Sequence, residues 1–135
     1  MATQQMNATN MQAGEPTSIS AQGWMLKAEN GSIATLALAL YAVNDFSWII
    51  FVLLFLLPDL AMLGYLLGNR VGAMVYNVAH IYAVPIALGA LAWFFGWPAG
   101  IQLALIWVFH IAVDRVVGYG LKYGTGFKET HLDRV

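Results

Sequence analysis

Four long apolar runs separated by very short polar turns constrain this 135-residue chain more than any other feature. The most lipophilic, from Ser47 to Leu67, contains the unbroken string Phe51-Val52-Leu53-Leu54-Phe55-Leu56-Leu57. About 20 apolar residues in a helix cross the ~30 Å hydrocarbon layer of a bilayer. The other three runs are placed at about Ala21–Val43, Val71–Phe95 and Ala99–Tyr119. Charged residues make up 10% of the chain, far below the roughly 25% of a soluble domain. The expected fold is all-α: a polytopic membrane protein, with residues 21–123 forming a four-helix transmembrane bundle.

The same composition excludes several classes of function. Net charge is −1 and no basic stripe exists, so nucleic acid is not an expected partner. Without cysteine there is no disulfide, no thiolate metal site and no cysteine nucleophile. The glycines from Gly118 to Gly124 follow a membrane helix and lack the spacing of a nucleotide-binding loop. Residues 1–20 are polar and almost uncharged, which reads as a disordered tail. They lack the basic start and apolar core of a signal peptide. Residues 124–135 form a second tail, which the glycines allow to fold back over the membrane face.

Orientation follows from the basic residues. With four spans, both termini share a side with Lys27, Arg70, Arg115, Lys122, Lys128 and Arg134. The opposite side has only the turns around Asp45 and Trp97, without Lys or Arg. The positive-inside rule then places both termini in the cytoplasm.

Ionisable residues inside apolar spans are expensive and mark functional sites. His110 and Asp114 lie one turn apart on one helix face. Tyr76, Asn77 and His80 share a face in the third span, and Asp59 follows Pro58 in the second. Counting about 1.5 Å per residue, Glu29, Asp59, His80 and His110 all fall roughly 12–13 Å below the cytoplasmic surface. Carboxylates and imidazoles converging between helices are the donor set of a metal site. Glu29, Asp59, His80 and His110 are candidate ligands, for Fe, Mn or Zn. Ligating atoms sharing an ion are expected roughly 4–7 Å apart. His110, Asp114 and Arg115 are candidate catalytic residues, Asp114 either ligating or orienting the His110 ring, and Arg115 pairing a carboxylate or an anionic headgroup.

Longer strings carry a family resemblance. They are Pro58-Asp59-Leu60-Ala61-Met62-Leu63-Gly64-Tyr65, Tyr76-Asn77-Val78-Ala79-His80, His110-Ile111-Ala112-Val113-Asp114-Arg115, Gly118-Tyr119-Gly120-Leu121-Lys122-Tyr123 and Thr130-His131-Leu132. Over nearly everything after Met25 the chain resembles an uncharacterised family of small bacterial integral membrane proteins, the domain of unknown function numbered four-two-six-zero. The resemblance implies a four-helix protein of the bacterial inner membrane and adds His131 to the candidate ligands. It brings no established activity.

Three functions compete for these residues. One is a metal-dependent enzyme acting on a lipid or other hydrophobic small molecule. Another is a proton or ion relay, or a transporter, which the absence of titratable groups from the outer half, Asp45 apart, disfavours. The third is a structural membrane subunit whose polar groups only lock the helices together. A reporter fused after Val135 is expected to read cytoplasmic and one inserted at Pro98 external. A C-terminal reporter facing outward would overturn this topology.

Overall fold

A computed structural model describes residues 21–122 and residue 132. The expected tails over residues 1–20 and 124–135, with Glu129 and His131, lie outside the described residues. Among the described residues the chain is helical, with no β-strand. It runs α1 (Ala21–Val43), α2 (Trp48–Leu54), a 3-10 segment (Leu57–Leu67), α3 (Asn69–Ala79), α4 (Ala83–Phe94) and α5 (Pro98–Val117). Trp48–Leu67 and Pro98–Val117 are each 20 residues long and apolar enough to cross a membrane. The α3–α4 pair, bent by 41°, makes a third such span if taken as one. At 23 residues α1 is also long enough, but Lys27, Glu29, Asn30 and Ser32 make its first half polar.

Both interrupted spans break where a polar residue of interest lies. The second stops being α-helical after Leu54, and Pro58 enters the first turn of the 3-10 segment, where its missing N–H is tolerated. The third breaks at His80–Tyr82, ahead of Pro85. Within a regular helix Pro85 would leave the Ile81 carbonyl without its i+4 donor. The break moves that carbonyl into a turn, where Val84 N–H donates to it at 3.4 Å. Side chains of α5 satisfy two further carbonyls: Trp107 Nε1 donates to Ala79 O at 2.7 Å and Arg115 Nη2 to His80 O at 2.9 Å. Where water is scarce, freed backbone groups must find such partners.

The axis of the fold is α5, with α1 and α4 packed along it, while the 3-10 segment packs on α3. Small residues line these contacts: Ala37, Ala73, Ala92, Ala104 and Ala112 are buried, as expected where helices associate by close backbone approach. Large apolar side chains cover much of the outside, while two histidines are buried. Leu66 is 83% exposed and Trp93 and Phe94 are 77% exposed, while His80 and His110 are 2% exposed. Far from the histidines, fully buried Tyr41 ties the α1–α2 turn to α5. Its hydroxyl donates to Ser47 O at 2.5 Å and accepts from Gln102 Nε2 at 2.7 Å.

The closest backbone approach is at Gly72, where a Cβ would overlap the Tyr65 ring and stand 2.7 Å from Tyr65 Cα. Gly72→Ala is expected to destabilise the protein by about 1–3 kcal/mol through overpacking. Gly31→Ala, whose nearest new neighbour is Val116 at 4.0 Å, serves as the control. Unfolding of the purified protein in detergent compares them, and equal stability of the two variants would refute the close contact.

Candidate metal centre

Three elements converge on one point. Asp59 lies in the first turn of the 3-10 segment, its N–H held by Leu56 O at 3.1 Å. His80 caps the C-terminus of α3, with its N–H shared between the Tyr76 and Asn77 carbonyls. His110 and Asp114 come from one face of α5. His80 Nε2 stands 3.6 Å from Asp59 Oδ1 and 3.5 Å from Asp114 Oδ2. His110 Nε2 is 3.5 Å from each of the same oxygens, and the two Nε2 atoms are 3.3 Å apart. All four donor atoms lie within 4.8 Å of one another. Ligands arranged tetrahedrally around one ion at 2.0–2.2 Å are separated by about 3.3–3.6 Å. Five of the six separations match that figure, with two imidazole and two carboxylate donors.

The protons of the imidazoles decide what this arrangement can hold. His80 Nδ1 lies 2.9 Å from Tyr76 O. A carbonyl only accepts, so Nδ1 carries the hydrogen, and in a neutral ring Nε2 presents a lone pair to the centre. This is how metal-ligating histidines are oriented, the remote N–H fixed on a backbone carbonyl. His110 also points Nε2 inward. Its Nδ1 is buried without a hydrogen-bond partner among the described residues, and the Phe55 carbonyl, where α2 ends, neighbours this ring. With both rings neutral in this tautomer, two lone pairs face two carboxylates with no hydrogen between them. A shared cation, or a proton carried on His110 Nε2 instead of Nδ1, makes that arrangement favourable.

The surroundings fix the rings and leave one side open. Tyr76 stacks on His80 with centroids 3.8 Å apart and planes within 13°. Phe55 meets His110 edge-on at 5.2 Å. Beyond α5, Gly118 takes the left-handed conformation at φ 103°, and the Gly118 and Tyr119 amides both bond Asp114 O, at 3.0 and 2.7 Å. The chain then returns to α3, where Asn77 and the Lys122 backbone exchange two bonds of 2.7 Å each. This seats Lys122 Nζ 4.5 Å over the Tyr76 ring. Burial pushes the Lys122 ammonium below its usual range, against the pull of Asp59 and Asp114. The side chains of Asp59 and Asp114 are 36% and 19% exposed against 3% and 2% for His80 and His110. Access to the centre is therefore from the carboxylate side.

The family described as Domain of unknown function (DUF4260) matches residues 23–135. The chain belongs to that family. No curated protein and no solved structure matches it.

The DUF4260 domain brings together four of the residues expected from sequence, Asp59, His80, His110 and Asp114. They stand closer than the expected 4–7 Å, which is too wide for one shared ion: ligands placed tetrahedrally at 2.0–2.2 Å from it are about 3.3–3.6 Å apart. Arg115 touches the site through the His80 carbonyl and holds no position among the four donors. Glu29 lies outside the cluster and is exposed. The inward face of α1 carries Asn30, Ala37 and Tyr41, and Glu29 is turned about 100° from Asn30 around the helix. Asn30 is the residue that turns in: Tyr82 OH donates to its Oδ1 at 2.5 Å and its Nδ2 donates to Leu26 O at 2.7 Å. Trp107 and Lys122 were not expected at the site. A Trp one turn before His110 was the available signal for the first.

Arg115→Ala removes the side-chain donor from the part-buried His80 carbonyl, at an expected cost of about 1–3 kcal/mol. Exposed Val117→Ala is expected to be close to neutral. Thermal unfolding in detergent separates them. An Arg115→Ala protein as stable as Val117→Ala would show that the bond does not hold the break.

Proposed function

We propose that this protein is a membrane-embedded metalloenzyme in which Asp59, His80, His110 and Asp114 bind one divalent transition metal and act on a hydrophobic substrate. The observation that carries the reading is the meeting of four potential donor atoms within 4.8 Å, five of their six separations at 3.3–3.6 Å, with the His80 hydrogen committed to Tyr76 O on the far side of the ring. Nitrogen and oxygen donors without sulfur favour Zn, Fe or Mn. The chain is read as a bacterial inner-membrane protein crossing four times with both termini in the cytoplasm, α1 being the first crossing. That reading rests on the distribution of basic residues and on the apolar exterior of the helices. His131 is kept as an additional ligand contributed by the C-terminal tail.

In this reading each residue has a physical task. The two histidines hold the ion from the buried side, and their orientation is locked by Tyr76 and Phe55. Asp59 and Asp114 neutralise its charge and border the open side, where a substrate reaches it. Arg115 is a positioning residue, which keeps the His80 backbone in place. A divalent ion there supplies Lewis acidity to a substrate oxygen or to water. The relay alternative receives less support. The cavity beside the cluster, lined by Leu54, Leu57, Pro58, Ala61, Ala79, Leu103, Ile106 and Trp107, offers no titratable group to carry a proton onward.

Elemental analysis of the detergent-purified protein tests the proposal. About one Zn, Fe or Mn per chain is expected, falling to background in His110→Ala and Asp59→Asn variants that keep their helical content. A wild-type protein that is folded, metal-free and unable to take up added Zn, Fe or Mn would sink it.

A further inference from the structure

We infer that the apolar cavity beside the cluster is a slot for a single hydrocarbon chain, and that the substrate is a single-chain amphiphile with a carboxylate or acyl head. The inference rests on the metal reading for its head end and on the cavity for its tail. The cavity has a volume of ≈ 170 Å³. An apolar cavity of about 150 Å³ stays dry and takes a benzene molecule. This one therefore has room for a short stretch of one chain and not for two chains side by side.

The walls tie the slot to the cluster. Pro58 and Ala79 directly precede Asp59 and His80, while Ile106 and Trp107 lie one turn before His110. On α5 the slot extends back to Leu103, about 10 Å along the helix from His110. Leu54 and Leu57 extend it in the same direction beside the second span. In the proposed orientation that direction leads from the cytoplasmic surface toward the bilayer midplane. A lipid-like molecule in the cytoplasmic leaflet has the same polarity, head at the surface and chain toward the middle. Trp107 is held in the wall by its bond to Ala79 O, so the slot is shaped before any chain enters.

The head end carries its own selectivity. A divalent ion cancels the charges of Asp59 and Asp114, while Lys122 and Arg115 add positive charge beside them. An anionic or carbonyl head is favoured there and an ammonium head is repelled.

The test uses the full chain in nanodiscs with a long-chain fatty acid carrying a diazirine in its alkyl part. Crosslinks are mapped by mass spectrometry, and metal content is measured on the same samples. Labelling of residues 103–107 is expected to saturate and to be displaced by unlabelled fatty acid but not by a long-chain alkylammonium. It should be lost in Ala61→Trp and, from another element of the lining, Leu103→Trp, while both variants keep their metal. Labelling that does not saturate, or that persists in both variants, would mean that bulk lipid alone meets this surface and overturns the slot. Equal displacement by the alkylammonium overturns the assignment of the head. A metal-free protein with saturable slot labelling overturns the metal reading and leaves the slot standing.

Discussion

The break between α3 and α4 is the constraint on which the rest of the structure depends. A helix interrupted inside an apolar layer exposes carbonyls that lipid cannot satisfy. Here α5 satisfies two of them, through the Trp107 indole and the Arg115 guanidinium. These bonds flank the cluster, one on the carbonyl of the residue before His80 and one on His80 itself. The break is what allows His80 to leave the regular helical direction and aim Nε2 at the centre. Tyr76 O meets both the His80 N–H, at 3.0 Å, and His80 Nδ1, at 2.9 Å, so one carbonyl holds the end of α3 and the orientation of the ring.

The second element of the design is an imbalance of donors and acceptors. Among the described residues, several part-buried polar side chains are satisfied pairwise: Tyr82 with Asn30, Gln102 with Tyr41, Asn77 with the Lys122 backbone. The cluster is different in kind. Its oriented His80 ring faces two carboxylates with a lone pair, and the one nitrogen able to donate to it is His110 Nε2, at 3.3 Å. Half-satisfied polar networks are destabilising in a low-dielectric interior. The stacking of Tyr76 on His80 and the edge contact of Phe55 on His110 fix the orientation of both rings.

Much of this was legible from the chain, and the reasons differ by residue. His110 and Asp114 were readable because a helix fixes residues four apart on one face. Asp59 and His80 were readable because depth can be counted along an apolar span. What depth cannot supply is rotation about the helix axis. The polar residues of α1 are spread around its circumference, so no single polar face marks its phase, and Glu29 was chosen where Asn30 turns inward. The position of the break was obscured by Pro85, the stronger breaker signal, which lies inside α4. The 3-10 geometry after Leu56 has no clear sequence mark beyond Pro58.

The clamp between Asn77 and Lys122 spans 45 residues of chain. Donors reach the site in the order of synthesis: Asp59 first, then His80, and both α5 donors only at the end. The bonds that steady the His80 backbone arrive on that same last helix, and the return of the chain to α3 comes later still. A nascent chain lacking α5 therefore has neither a complete donor set nor a supported break. The four donors can meet only once α5, the last helix among the described residues, is in place.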